Sequence, residues 1–91
     1  SGEIQGTPEC MAPEQANGDS DSVGPRSDVF GLGAILCYLL TGKPPFVGSN
    51  LYATLAQAAA GKVERAHERL SNCGADTLLV GIAKKCLMRD P

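Results

Sequence analysis

The stretch "VFGLGAILCYLL", Val29 to Leu40, constrains the fold of this chain more than any other. Val29, Leu32, Ile35, Leu36, Leu39 and Leu40 recur at helical spacing, and Ser27 or Asp28 can cap the helix they form. Phe30, Ala34, Cys37 and Tyr38 fill much of the remaining circumference. A helix that is apolar nearly all round belongs in the middle of something larger. The run is too short to cross a membrane, which needs roughly 18 residues. "TGKPPF" stops it: Gly42 suits a left-handed C-cap, and Pro44 and Pro45 cannot continue the helix. The spacing therefore predicts a helix over residues 27–41.

Ahead of it, residues 1–24 are mostly irregular. Pro8 and Pro13 each lack an N–H and restrict the residue before them. Pro13-Glu14-Gln15-Ala16 can form one short helical turn with Pro at its first position. "NGDSDSVGP", Asn17 to Pro25, is a loop by composition. Beyond the central helix, residues 49–60 read as a helix with Leu51, Leu55 and Ala59 on one face and Gly61 at its end. Residues 63–70 read as a short amphipathic helix aligning Val63, Ala66, His67 and Leu70. A last helix covers about residues 75–88, with Leu78, Leu79, Ile82, Ala83, Cys86 and Leu87 as its buried stripe. No segment alternates with period two, so the expected class is all-α, with about four helices and no internal repeat.

The size is that of one small domain, and eight basic against ten acidic residues leave a net charge of -2. Neither sign clusters along the chain. There is no basic stripe to follow a phosphate backbone, so nucleic acid is not an expected partner. No cationic leader with a cleavage site is visible, and a cytoplasmic location with no membrane contact in this segment is the expectation. The four cysteines, Cys10, Cys37, Cys73 and Cys86, form no CxxC pair, and His67 is the single histidine. A zinc site is not suggested. Two disulfides are arithmetically open, but Cys37 and Cys86 lie in apolar helices where cysteine acts as a small hydrophobe, so four reduced thiols are expected.

Three blocks of the sequence carry a family resemblance. "GTPECMAPEQA" resembles the end of the activation segment of protein kinases, with Ala12-Pro13-Glu14 as its closing triplet. "SDVFGLGAILCYLLTGKPPF" is similar to the kinase helix F and the turn after it, and "CLMRDP" to the end of helix H. Gly6-Thr7 ahead of "MAPE" resembles Ser/Thr kinases, and "MAPEQA" with an Ala-rich helix G region is most like the bacterial, eukaryotic-type members. The resemblance implies a C-terminal-lobe fragment of a kinase catalytic domain. Residues 1–25 would be the activation-segment end and loop, and residues 26–91 the helical part.

Phosphoryl transfer in that family uses a Gly-rich phosphate loop, a strand Lys paired to a helix Glu, an HRD catalytic loop and a DFG metal-binding Asp. The sequence has no GxGxxG, HRD or DFG, and His67 is not followed by Arg-Asp. The resemblance thus implies ATP and Mg in a parent kinase acting on protein substrates. The 91-residue chain itself is expected to hold no cofactor or metal and to be inactive. A non-catalytic helical interaction or pseudokinase module is the alternative.

The resemblance also implies roles. Thr7 matches the Thr that contacts the catalytic Asp and Lys, and Pro8, Glu9 and Cys10 match the wall of the pocket for the residue after the phosphoacceptor. Cys10 stands where the family usually carries Tyr, which removes an aromatic ring from that wall. Glu14 matches a carboxylate that pairs with a buried Arg beyond the "DP" of helix H. That Arg is not in this sequence, so Glu14 is expected to be solvated, with little effect on stability. Asp28 matches the helix F carboxylate that accepts catalytic-loop N–H groups; without that loop, capping its own helix is the simpler expectation. Ser1 stands where an activation-loop phosphosite is conceivable. "ERAHER" is expected to be a solvated charged face, with His67 on its surface. Finally, an apolar helix F with few others to cover it leads to the expectation of a homodimer. Pairing of helix F surfaces and exchange of elements across "NGDSDSVG" or "TGKPP" are both open, with exchange the favoured route.

Overall fold

In the computed structural model, residues 8–19 and 21–88 are described, and prolines, glycines and caps set where each element begins and ends. One 3-10 turn, Pro8–Cys10, leads into α1 (Pro13–Ala16), α2 (Pro25–Thr41), α3 (Leu51–Ala60), α4 (Glu64–Ser71) and α5 (Thr77–Cys86). Among the described residues there is no strand. The chain is all-helical, as its periodicity indicates.

Starts differ from expectation by one or two residues, each for a capping reason. α2 begins at Pro25, not Ser27, because a first-turn Pro lacks only an N–H that would have no helical partner. Gly24 is the cap residue, and its N–H donates to Ser27 Oγ at 3.2 Å. Ser27 and Asp28 therefore lie inside the first turn. Asp28 is not the cap; it is exposed beside the positive end of the helix dipole. α3 starts after Asn50, whose Oδ1 accepts the Ala53 N–H at 2.8 Å. α5 starts after Asp76, whose Oδ1 accepts from Leu78 N–H at 2.8 Å. Gly42 ends α2 in the left-handed region at φ 79, and its N–H donates to the Tyr38 carbonyl at 2.8 Å.

α2 is the hub. It packs most extensively on α5 and also on α4, whereas α3 packs on α1 and the 3-10 turn. Phe30, Ala34 and Cys37 of α2 meet Phe46, Ala58, Ala66, Leu70, Ala83 and Leu87 in a single core that Met11, Ala12 and Ala16 close from the N-terminal side. Phe46 is fully buried and stacks on Phe30 with ring centroids 5.9 Å apart. Gly33 lets α5 approach: a Cβ there would stand 2.6 Å from Cys86 Cβ.

One core expectation, an uncovered apolar strip on α2, is met, and one, the α5 stripe, is corrected. α2 buries one face only. Val29, Leu32, Ile35, Tyr38 and Leu39 are exposed, Leu39 by 74%, because α5 and α4, which pack on α2, leave that side uncovered. Of the expected α5 stripe only Ala83 and Leu87 are buried, with Val80 half-buried beside them. Leu78, Leu79 and Ile82 face outward. α5 carries two overlapping apolar stripes, and the one holding Ala83, Cys86 and Leu87 brings the last two against Gly33.

Candidate functional site

The segment from Pro8 to Asn17 is built onto the rest of the chain by polar contacts at nearly every step. Gln15 Oε1 accepts the Ala12 N–H at 3.0 Å, which holds the first turn of α1 from inside. Asn17, just past α1, donates from Nδ2 to the Pro13 carbonyl at 2.8 Å and to the Ala59 carbonyl at 3.0 Å, joining α1 to the end of α3. The Phe46 N–H donates to the Glu9 carbonyl at 3.1 Å, so the 3-10 turn is fastened to the loop that carries the core phenylalanine. Ser27 Oγ donates to Glu14 Oε2 at 2.6 Å. Glu14 is half-buried and has a partner, contrary to the solvated carboxylate expected from sequence; a serine on the next helix, thirteen residues on, receives it.

Of the residues matched to a substrate pocket, Thr7 lies outside the described residues, as does Ser1, the conceivable phosphosite. Pro8, Glu9 and Cys10 form the single 3-10 turn. Glu9 presents its carboxylate to solvent, and Cys10 is half-buried against the core. Ala12 is buried and Pro13 half-buried, so the Ala12-Pro13-Glu14 triplet is embedded in the fold. Asp28 is exposed on α2; its neighbour Ser27, which sequence reasoning considered only as a cap, makes the contact to Glu14. The signal for Ser27 was the pairing of a small hydroxyl with a helix start, but only folding brings Glu14 to it.

The "ERAHER" run is also more than a solvated face. Arg69 turns inward and donates from Nη2 to the Pro44 carbonyl at 2.6 Å and the Pro45 carbonyl at 3.4 Å. His67 is half-buried, and its Nε2 is enclosed without a hydrogen-bond partner. Burial lowers its pKa below 6.5, Lys84 on α5 adds to the lowering, and Glu64 opposes it. Cys37, Cys73 and Cys86 are free thiols.

The residues present do not fit ATP or Mg. The sequence lacks the Gly-rich loop and the DFG Asp, and among the described residues no three His, Cys, Asp or Glu side chains are placed to hold a metal ion. No helix among them is long and apolar enough to cross a membrane.

Comparison with known proteins is informative over about half of the chain. No protein-family model matches. The serine/threonine-protein kinase PknB of Mycobacterium leprae is 53% identical over 47 residues, covering 52% of this chain and 7% of that protein. AfsK of Streptomyces coelicolor, also named a serine/threonine-protein kinase, is 54% identical over 50 residues, or 55% of this chain and 6% of the relative. Over about half of its length the chain is similar to bacterial serine/threonine protein kinases. The DNA damage-responsive serine/threonine-protein kinase RqkA of Deinococcus radiodurans is 49% identical over 57 residues, or 63% of this chain and 8% of the kinase. The matched stretches span under a tenth of these kinases' lengths. The all-helical architecture agrees with the C-terminal lobe that the sequence blocks resemble.

Proposed function

We propose that this chain is the activation-segment end (residues 1–25) and part of the helical C-lobe (residues 26–91) of a cytoplasmic Ser/Thr protein kinase. The parent would transfer the γ-phosphoryl group of ATP, with Mg, to Ser or Thr hydroxyls of protein substrates. Identity near 50% to three bacterial kinases over half the chain carries this reading. In it, Thr7, Pro8, Glu9 and Cys10 line the substrate pocket, while Ala12, Pro13, Glu14 and Asp28 are structural. The Glu14–Ser27 contact supports that role for the triplet, because it fastens the pocket segment to α2.

The 91-residue chain alone is proposed to be inactive, since the phosphate loop, HRD and DFG are absent from its sequence. The reading is tested by assaying the complete gene product with labelled ATP and a protein substrate, in parallel with this chain alone. Phosphoserine or phosphothreonine from the former and none from the latter is the expected result. Saturable micromolar nucleotide binding by the chain alone in calorimetry would overturn its inactivity. No transfer by the complete product would turn the assignment toward a pseudokinase.

A second reading rests on the exposed stripe Leu32, Ile35 and Leu39 of α2. Such a stripe fits a helical interaction module that covers its apolar face by homodimerising.

A further inference from the structure

Eight basic residues are scattered along a chain of net charge -2, yet folding collects four of them. Lys43 comes from the turn after α2, Lys62 from the link between α3 and α4, and Arg65 and Arg69 from α4. They line two hollows, of about 580 Å³ and about 500 Å³, that adjoin through Lys43, Arg65 and Arg69. Glu68 in one and Glu64 in the other are the acidic residues on their walls, so the groove is locally cationic on an acidic chain.

We propose that this groove docks an acidic segment of a protein partner. The proposal stands on these side chains and is independent of the kinase reading. Arg69 is already oriented, because its Nη2 is held by the Pro44 and Pro45 carbonyls. Lys43, Lys62 and Arg65 are exposed and free to close on a ligand. Carboxylates are acceptors only, which complements a wall of N–H donors.

The shape favours a peptide over a small anion. The cations come from three separate segments, with Lys43, Arg65 and Arg69 where the hollows join and Lys62 in one of them; Pro45 and Val47 add apolar wall on that side and Leu40 on the other. From Arg65 to Asn72 the helix rises by about 10 Å, the length of about three residues of extended chain. A run of three or four Glu or Asp residues matches that span.

The test is fluorescence anisotropy with a labelled ten-residue peptide carrying four consecutive Glu residues, against the same peptide with Gln in their place. The unmodified chain should bind the Glu peptide, with affinity falling as salt rises, and should ignore the Gln peptide. K62E/R65E should weaken binding at least tenfold, whereas R26E/K85E, reversing two exposed cations outside the groove, should change it less than twofold. All four side chains are exposed, and circular dichroism verifies that both variants remain folded. Single-residue R65Q should give an intermediate loss. Equal loss in R26E/K85E, equal binding of the Gln peptide, or no peptide binding would each overturn the proposal. So would saturable binding of tripolyphosphate, a single-stranded oligonucleotide or phosphatidylserine vesicles in place of the peptide.

Discussion

Ser27 Oγ donates to Glu14 Oε2 at 2.6 Å while accepting the Gly24 N–H at 3.2 Å, so one nearly buried hydroxyl fastens α1 to the first turn of α2. A hydrogen bond to a charged group contributes about 1.5–3 kcal/mol, less where one partner is half-exposed. Glu14→Ala should therefore cost about 1–2 kcal/mol in urea unfolding, more than the roughly 0.5 kcal/mol of a surface change. Ser27→Ala should cost at least as much, since it also strips the Gly24 N–H of its acceptor. The double variant should lose less than the sum, with a coupling of about 1 kcal/mol.

Arg69 makes the analogous tie at the other end of α2, holding the Pro44 and Pro45 carbonyls that precede Phe46. Arg69→Ala should destabilise by about 1–3 kcal/mol through the two carbonyls and the loosened Phe30–Phe46 stack. Arg69→Lys should recover little, because an ammonium lacks the planar fork. Near-ultraviolet circular dichroism, which reports the phenylalanine environment, and urea midpoints check both.

Two glycines of α2 should respond to alanine with opposite signs. At Gly33 the new Cβ would stand 2.6 Å from Cys86 Cβ and 3.1 Å from Leu87 Cγ, forcing α2 and α5 apart. Gly33→Ala should cost about 1–3 kcal/mol despite the better helix former. At Gly31 nothing lies within 4 Å, so Gly31→Ala should stabilise by about 0.5–1 kcal/mol. Thermal midpoints of the pair separate packing from propensity.

His67 makes stability depend on pH. Its folded pKa is depressed, by burial first and then by Lys84, so the unfolded chain takes up the proton first as pH falls. Folding should be unpenalised above the unfolded value of about 6.5 and should weaken progressively below it. His67→Gln should flatten that decline in urea midpoints compared between about pH 7.5 and about pH 5. An unchanged slope would mean that the enclosed imidazole is not the group responsible.

The exposed stripe on α2 predicts association. Sedimentation equilibrium at tens of micromolar should give a dimer, and L32D/L39D should give a folded monomer. Phe30, by contrast, is 3% exposed and stacked on Phe46, so an Asp there would unfold the chain whatever its oligomeric state.

Local chemistry was legible in the sequence. Apolar spacing marked the helices, Gly42 and Gly61 marked where two of them end, and the Pro13 turn was placed correctly, because these depend on neighbours within four residues. The Ala12-Pro13-Glu14 motif was equally visible. What the sequence could not determine is which face of an all-round apolar helix wins. α2 buries Phe30, Gly33 and Cys37 and leaves Leu32 and Leu39 outside, because Gly33 admits α5 on one side only and no residue periodicity encodes that approach. The same holds for charge. Lys43, Lys62, Arg65 and Arg69 look dispersed over a span of 27 positions, and only the return of α4 beneath the turn after α2 brings them to one groove. Electrostatic fields add in space and not along the chain, so the tertiary structure alone decided where this acidic protein is positive.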